Sequence, residues 1–153
     1  MKSVMTRGWI LVAALIVLVA VNGSILAKER LKTHGQRIYL ELGRVDPRSL
    51  MQGDYMALRF RITDSLSADA SGSAALRIDS RGIATLDPHP TAESPRLRYR
   101  LRNNDIWLGT NAYFFEEGDA ERYAPAQYGE FRLDRDTGEA ILVGLADENL
   151  HTL

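Results

Sequence analysis

The sequence predicts a mainly β protein, an N-terminal transmembrane helix followed by an antiparallel β-sandwich or partly open barrel. Three observations carry that reading. Downstream of residue 35 the apolar side chains recur with period two, in about eight short runs. The turns Asp79-Ser80-Arg81-Gly82 and Asp134-Arg135-Asp136-Thr137-Gly138 separate such runs, and glycine supplies the positive φ that tight hairpins need. Ahead of them all lies an apolar stretch with helical rather than strand character.

Residues 1–8 form a basic tail carrying Lys2 and Arg7. From Trp9 to Ala27 there is no charge, and at about 1.5 Å per helical residue the segment spans about 28 Å, close to the ~30 Å hydrocarbon thickness of a bilayer. Residues 9–27 are therefore read as a membrane anchor. A cleaved signal peptide competes, because a basic segment precedes the apolar one. No small-x-small cleavage pattern supports it, since a cut after Ala27 places Ile25 at the minus-three position. A buried helix of a soluble protein is the third reading. Lys28, Arg30 and Lys32 balance the basic residues of the other flank, so charge alone leaves the orientation open.

Residues 28–35 are polar and end at Gly35, as suits a juxtamembrane stalk or a helix extension with a glycine stop. Residues 36–153 make the β-domain. Ile38, Leu40 and Leu42 alternate with Tyr39 and Glu41 in a first strand. Asp46 to Gly53 reads as one capped helical turn, with Asp46 as N-cap, Pro47 at the first helical position and Gly53 as the left-handed stop. Further strands are expected over 54–63, 73–80, 83–86, 96–102, 106–115, 127–134 and 139–145. The stretches 65–73 and 87–95 are too short for domain linkers and read as surface loops.

Composition excludes more than it assigns. Only Lys2 and Arg7 of the 19 basic residues precede residue 28, and all 20 acidic ones follow it, which leaves the β-domain with a formal charge of about −3. That disfavours nucleic acid as a partner. There is no cysteine, and His34, His89 and His151 lie far apart, so neither disulfide nor zinc spacing is present. No metal, cofactor or catalytic residue set is expected.

The octapeptide Gly53-Asp54-Tyr55-Met56-Ala57-Leu58-Arg59-Phe60 resembles the signature of the GDYXXLXY family of bacterial membrane-anchored proteins. Gly53, Asp54, Tyr55 and Leu58 match, and Phe60 stands where tyrosine is usual, keeping the ring and losing the hydroxyl. A second block resembles the C-terminal half of the family: Tyr113, Glu117, Gly118, Tyr123, Tyr128, Gly129 and Glu130. With Asp46-Pro47-Arg48 the similarity covers nearly all of the chain after the anchor. The resemblance implies a single-pass protein of the bacterial inner (cytoplasmic) membrane, an extracytoplasmic β-domain and association with a multi-pass membrane protein. It implies no enzyme activity.

A regular strand puts Met56, Leu58, Phe60 and Ile62 on one face and Tyr55, Ala57, Arg59 and Arg61 on the other. Leu58 and Phe60 are then core, whereas Asp54 and Tyr55 serve either the local turn or recognition at a strand end. In Arg96-Leu97-Arg98-Tyr99-Arg100-Leu101-Arg102 the four arginines share one face of a strand, a basic stripe about 20 Å long. Such a stripe either pairs with acidic neighbours or binds an anionic lipid, envelope polymer or acidic partner.

Glu116, Glu117, Asp119 and Glu130 flank aromatic residues in the pattern of a glycosidase acid/base pair, and equally in that of solvated loop carboxylates, with Asp119 suited to cap a short helical turn. Leu50-Met51-Gln52-Gly53-Asp54 mimics the nucleophile framework of a signal-peptidase-type serine protease. Arg44 and Val45 stand where its serine belongs, and no lysine follows Lys32 to act as base. The expectation is a non-catalytic accessory or interaction module for an integral membrane protein. The alternatives are an anionic lipid or polymer binder and an unrecognised hydrolase.

Overall fold

The computed structural model describes residues 2–43, 51–52, 55–66, 72–103 and 105–153. Most of the capped turn anticipated over 46–53, Gly53 and Asp54 of the octapeptide, and most of the loop over 65–73 lie outside them. The chain opens with α1 (Lys2–His34), whose apolar side chains from Trp9 to Leu26 are exposed. It is long and apolar enough to cross a membrane, and nothing in the described chain covers it as a buried core helix would be covered. The helix does not stop at the end of its apolar segment. It runs through the polar residues to His34, where Gly35 N–H donates to the Leu31 carbonyl at 2.8 Å and the first strand begins.

The rest is mostly strands in antiparallel sheets, one of them a half-barrel, with a short helix between. The strands are β1 (Gln36–Glu41), β2 (Met51–Gln52), β3 (Tyr55–Ala57), β4 (Gly72–Ile78), β5 (Ala84–Leu86), β6 (Arg96–Arg102), β7 (Asp105–Trp107), β8 (Ala112–Phe114), β9 (Tyr128–Leu133) and β10 (Ala140–Ala146); α2 (Ala120–Tyr123) precedes β9. They pair in the orders β1-β9-β10, β2-β3-β8 and β5-β4-β6-β7. A parallel bridge from Tyr39 to Ile83, an antiparallel bridge from Leu42 to Phe60, and Arg98 N–H donating to the Gly138 carbonyl at 2.8 Å join the sheets around one core.

That core is filled by alternate residues of the facing strands: Ile38, Leu40, Leu76, Leu97, Phe131, Leu133 and Leu145, each fully buried. Both hairpins expected from glycine turns are present. Asp79 Oδ1 accepts from the amides of Arg81 and Ile83, Asp134 Oδ1 from those of Asp136 and Thr137, and Gly82 and Gly138 take φ of 87° and 72°.

Two expected strands are broken, each for a local reason. Among its described residues, the strand over 54–63 keeps ladder pairing at Tyr55–Ala57 and a bridge at Phe60, and Arg61–Ser65 turn into a 3-10 helix. The Thr63 hydroxyl and amide both donate to the Phe60 carbonyl, at 2.6 and 3.0 Å, offering the backbone a turn in place of a ladder. The strand over 106–115 is cut at Gly109, whose φ of 102° no strand residue adopts. Its first part, β7, pairs with β6, and its second, β8, with β3, so one apolar run serves two sheets. Period two also understates β1: Tyr39 is buried as well as Ile38 and Leu40, because its ring lies against Gly82 of the β4–β5 turn.

Candidate interaction surface

The octapeptide divides between core and surface along the strand alternation. Met56, Leu58 and Phe60 are buried, and the Phe60 ring meets that of Phe131 edge-on with centroids 5.1 Å apart. Tyr55 points to the other side of β3, half-buried, and faces Phe114 across the β3–β8 ladder. The two rings lie 5.6 Å apart. Phe114 is 75% exposed, the large apolar side chain most in contact with solvent among the described residues of the β-domain. Beside it a groove of about 600 Å³ is lined by Lys28, Gly109, Ala112, Tyr113, Ile141 and Leu142.

Lys28 brings the end of α1 into this surface. Its Nζ lies 2.8 Å from Glu139 Oε2 on the turn before β10, and Leu31 is buried where the last turns of the helix pack on the sheet. Lys28 also shares a smaller cavity, about 210 Å³, with Arg98, Arg100, Trp107 and Glu139.

The arginines at 96, 98, 100 and 102 are all exposed, on the opposite side of β6 from buried Leu97. Among the described residues no ion pair reaches any of the four. Arg96 Nε donates to Ser73 Oγ at 3.1 Å, and the Arg102 guanidinium lies over the Trp107 ring, 5.2 Å from its centroid. Arg96, Arg98 and Arg100 line a groove of about 530 Å³ with Arg135 and Asp136. A further cavity of about 580 Å³ is lined by Leu58, Trp107 and Asp105 together with Arg59 and Asp64, whose charges meet at 2.7 Å.

The carboxylates do not converge. Glu116 and Glu117 are exposed, while Glu130 is 6% exposed on β9. Its Oε1 lies 3.6 Å from both Arg37 Nε and Arg132 Nη2, and the Thr152 hydroxyl donates to Oε2 at 3.1 Å. The Tyr39 hydroxyl first, and Glu130 second, raise the Arg37 guanidinium further above its ordinary value. Asp119 precedes α2, but its side chain makes no capping hydrogen bond there. Tyr123 is buried between Tyr113 and Phe115, each ring 5.2 Å away, and burial together with the Tyr123 hydroxyl pushes the Tyr113 hydroxyl up. Among the described residues no group of His, Asp and Glu side chains is arranged to hold a metal ion.

Residues 17–145 match the model of the GDYXXLXY protein family, from the middle of α1 into β10. The chain belongs to the GDYXXLXY family. No curated protein and no solved structure matches it. The two blocks of GDYXXLXY-type sequence are brought together in the fold: Phe60 and Gly129 touch in the core, and Tyr55 and Phe114 touch outside it. Of the remaining block residues, Tyr113 and Tyr123 form the aromatic stack and Tyr128 opens β9. Glu117 and Gly118 lie in the exposed turn before α2, and Glu130 is held by its arginines.

Lys28 and Trp107 were not singled out by sequence as surface residues, and Phe114 entered only as part of the stretch that carries the second block, Tyr113-Phe114-Phe115. Phe114 had no signal of exposure, because alternation over 106–115 puts it in phase with Ile106, Leu108 and Ala112, and only the break at Gly109 turns it outward. Lys28 had none, because its partner Glu139 is 111 residues away.

Proposed function

We propose that this chain is a membrane-tethered, non-catalytic interaction module that docks on an integral membrane protein through the Tyr55–Phe114 face. The observation that supports it most is the position of the signature tyrosine. Tyr55 lies on the face of β3 opposite Met56, where its ring backs the 75% exposed ring of Phe114. Exposed aromatic residues beside a groove are the usual anchors of protein interfaces, where one truncation costs about 2 kcal/mol or more.

The groove next to Phe114 is also lined by Lys28, the first charged residue after the apolar segment of α1. With α1 in a bilayer, a partner reaching that groove is itself held at the membrane surface, which favours a multi-pass protein over a diffusing one. The family resemblance supports the same partner class, the bacterial cytoplasmic membrane and an extracytoplasmic domain.

A photo-crosslinking amino acid at position 114 of the full chain, in its native membrane, tests this reading. The expected result is one specific multi-pass protein, captured at least about tenfold less by Tyr55→Ala. Capture of abundant bystanders alone, or capture indifferent to Tyr55, refutes it.

A further inference from the structure

We infer that the face bearing Lys28, Arg98, Arg100 and Trp107 lies on the bilayer and takes the phosphodiester groups of anionic phospholipids. The inference rests on α1 spanning a bilayer and is independent of the protein partner. Its first support is height. Lys28 follows directly on the uncharged segment that ends at Ala27, so with α1 inserted it stands at the outer edge of the hydrocarbon, where the headgroup layer is about 5–7 Å thick. Arg98, Arg100 and Trp107 line one cavity with Lys28 and share that level.

The second support is rigidity. Helix α1 continues without a break to His34, buries Leu31 against the domain and is tied by the 2.8 Å contact of Lys28 with Glu139, so the basic strand does not hang from a loose stalk.

The third support is charge and shape. Among the described residues that line the two cavities, five cations, Lys28, Arg96, Arg98, Arg100 and Arg135, meet two acidic groups, Glu139 and Asp136, and Arg102 faces Asp105 across the ladder beside them. Glu139 is bonded to Lys28, and Asp105, opposite Arg102 in the ladder, forms no ion pair with it. The guanidinium groups of Arg98 and Arg100 are exposed and carry no ion pair among the described residues, and arginine presents paired N–H donors suited to phosphate oxygens. Trp107 is the residue type that settles at headgroup depth, polar edge outward and ring inward. A leaflet rich in anionic lipid supplies the complementary charge, and each basic residue near such a surface strengthens association about fivefold.

The test uses the full chain with Trp9→Phe, reconstituted in nanodiscs of phosphatidylcholine alone or with phosphatidylglycerol, and nitroxide on the lipid headgroups. Quenching of Trp107 then reports the tilt of helix and domain together that presses this face onto the headgroups. It is expected to be strong in phosphatidylglycerol discs, weak in phosphatidylcholine and weakened by raised salt. Arg98→Glu with Arg100→Glu is expected to lower the association about 25-fold or more, and Arg98→Gln with Arg100→Gln to act in the same direction with an unchanged melting midpoint in detergent. Equal quenching in both discs, or quenching unaffected by the glutamine pair, overturns the inference. Tight binding of inorganic polyphosphate by the detergent-solubilised chain, with no dependence of quenching on phosphatidylglycerol, overturns it in favour of a soluble anion.

Discussion

Replacing Gly129 by alanine is expected to loosen the whole β-domain, by an amount the packing sets. Gly129 lies on central strand β9, paired with Leu40 on one side and Leu145 on the other, so its backbone has no room to move away. A Cβ placed there sits 2.7 Å from Phe60 Cε1, 3.0 Å from Phe131 Cε2 and 3.1 Å from Leu142 Cδ1. The first contact is about 0.8 Å inside the usual 3.5 Å approach of carbon atoms. Two rings and a leucine, packed in a T-shaped pair and a closed core, have to shift together. Overpacking of this kind costs about 1–3 kcal/mol, and the lower backbone entropy of alanine in the unfolded chain offsets about 0.5–1 kcal/mol of it.

The net loss centres on about 1 kcal/mol with an upper end of about 2.5 kcal/mol, which for a domain of this size lowers the melting midpoint by about 3–10 °C. The assay is loss of β-sheet circular dichroism in detergent, where α1 stays helical and does not mask the transition. Phe60→Leu supplies the internal check. Alone it leaves a void and destabilises, but combined with Gly129→Ala it makes room for the methyl, so the double variant is expected to recover about 0.5–2 kcal/mol relative to the sum of the two. A midpoint that is unchanged or raised by Gly129→Ala, or strict additivity with Phe60→Leu, refutes the claim that the two family blocks are held to each other by this contact.

Glu130→Ala removes the acceptor shared by Arg37, Arg132 and Thr152 and is expected to cost about 1–3 kcal/mol by thermal melting, at the lower end because Arg37 is largely exposed; Glu130→Gln, which keeps the Thr152 bond, is milder. Acid stability follows from the turns. Asp134 is held below the usual carboxylate range by the Thr137 amide, and Asp147 by that of His151. A carboxylate with a lowered folded value adds stability that is intact above its unfolded value, about 4, and is lost as pH falls through the folded value. The midpoint is therefore expected to hold from neutral pH to about 5 and to drop below about 4, with a smaller acid drop in Asp134→Ala; a midpoint that rises on acidification contradicts this.

The fold class was legible because its signals are local. Period two gave Met56, Leu58 and Phe60 as core, and the aspartate and glycine of each hairpin marked the turns between β4 and β5 and between β9 and β10. What was not legible depends on neighbours distant in sequence. Thr63 ends one strand by capturing the Phe60 carbonyl, and Gly109 passes the stretch 106–115 from pairing with β6 to pairing with β3, neither of which alternation registers. Tyr39 reads as the solvent side of β1 and is buried only because the β4–β5 turn folds over it. At the surface, the arginine stripe could be read along one strand, but its lack of ion pairs among the described residues and its closeness to Lys28 are facts of the assembled sheet.

Lys28 lines both the groove beside Phe114 and the cavity beside Arg98 and Arg100, so the aromatic face and the basic face meet at the foot of the helix. They are built from different strands: Tyr55 and Phe114 from the β3–β8 ladder, Arg100 and Trp107 from the β6–β7 ladder. The segment that joins those ladders is the corner at Gly109, which lines both cavities. A cut strand thus carries a positional consequence. An unbroken strand from Ile106 to Phe115 would place Trp107 and Phe114 on one ladder with opposite phases, an odd number of residues apart and facing away from each other. The positive φ at Gly109 resets that phase and lets the Phe114 ring and the arginine strand open toward the same end of α1. The signature is then best read as half of a composite, with Leu58 and Phe60 fixing the domain and Tyr55 joined by a ring that the second block contributes.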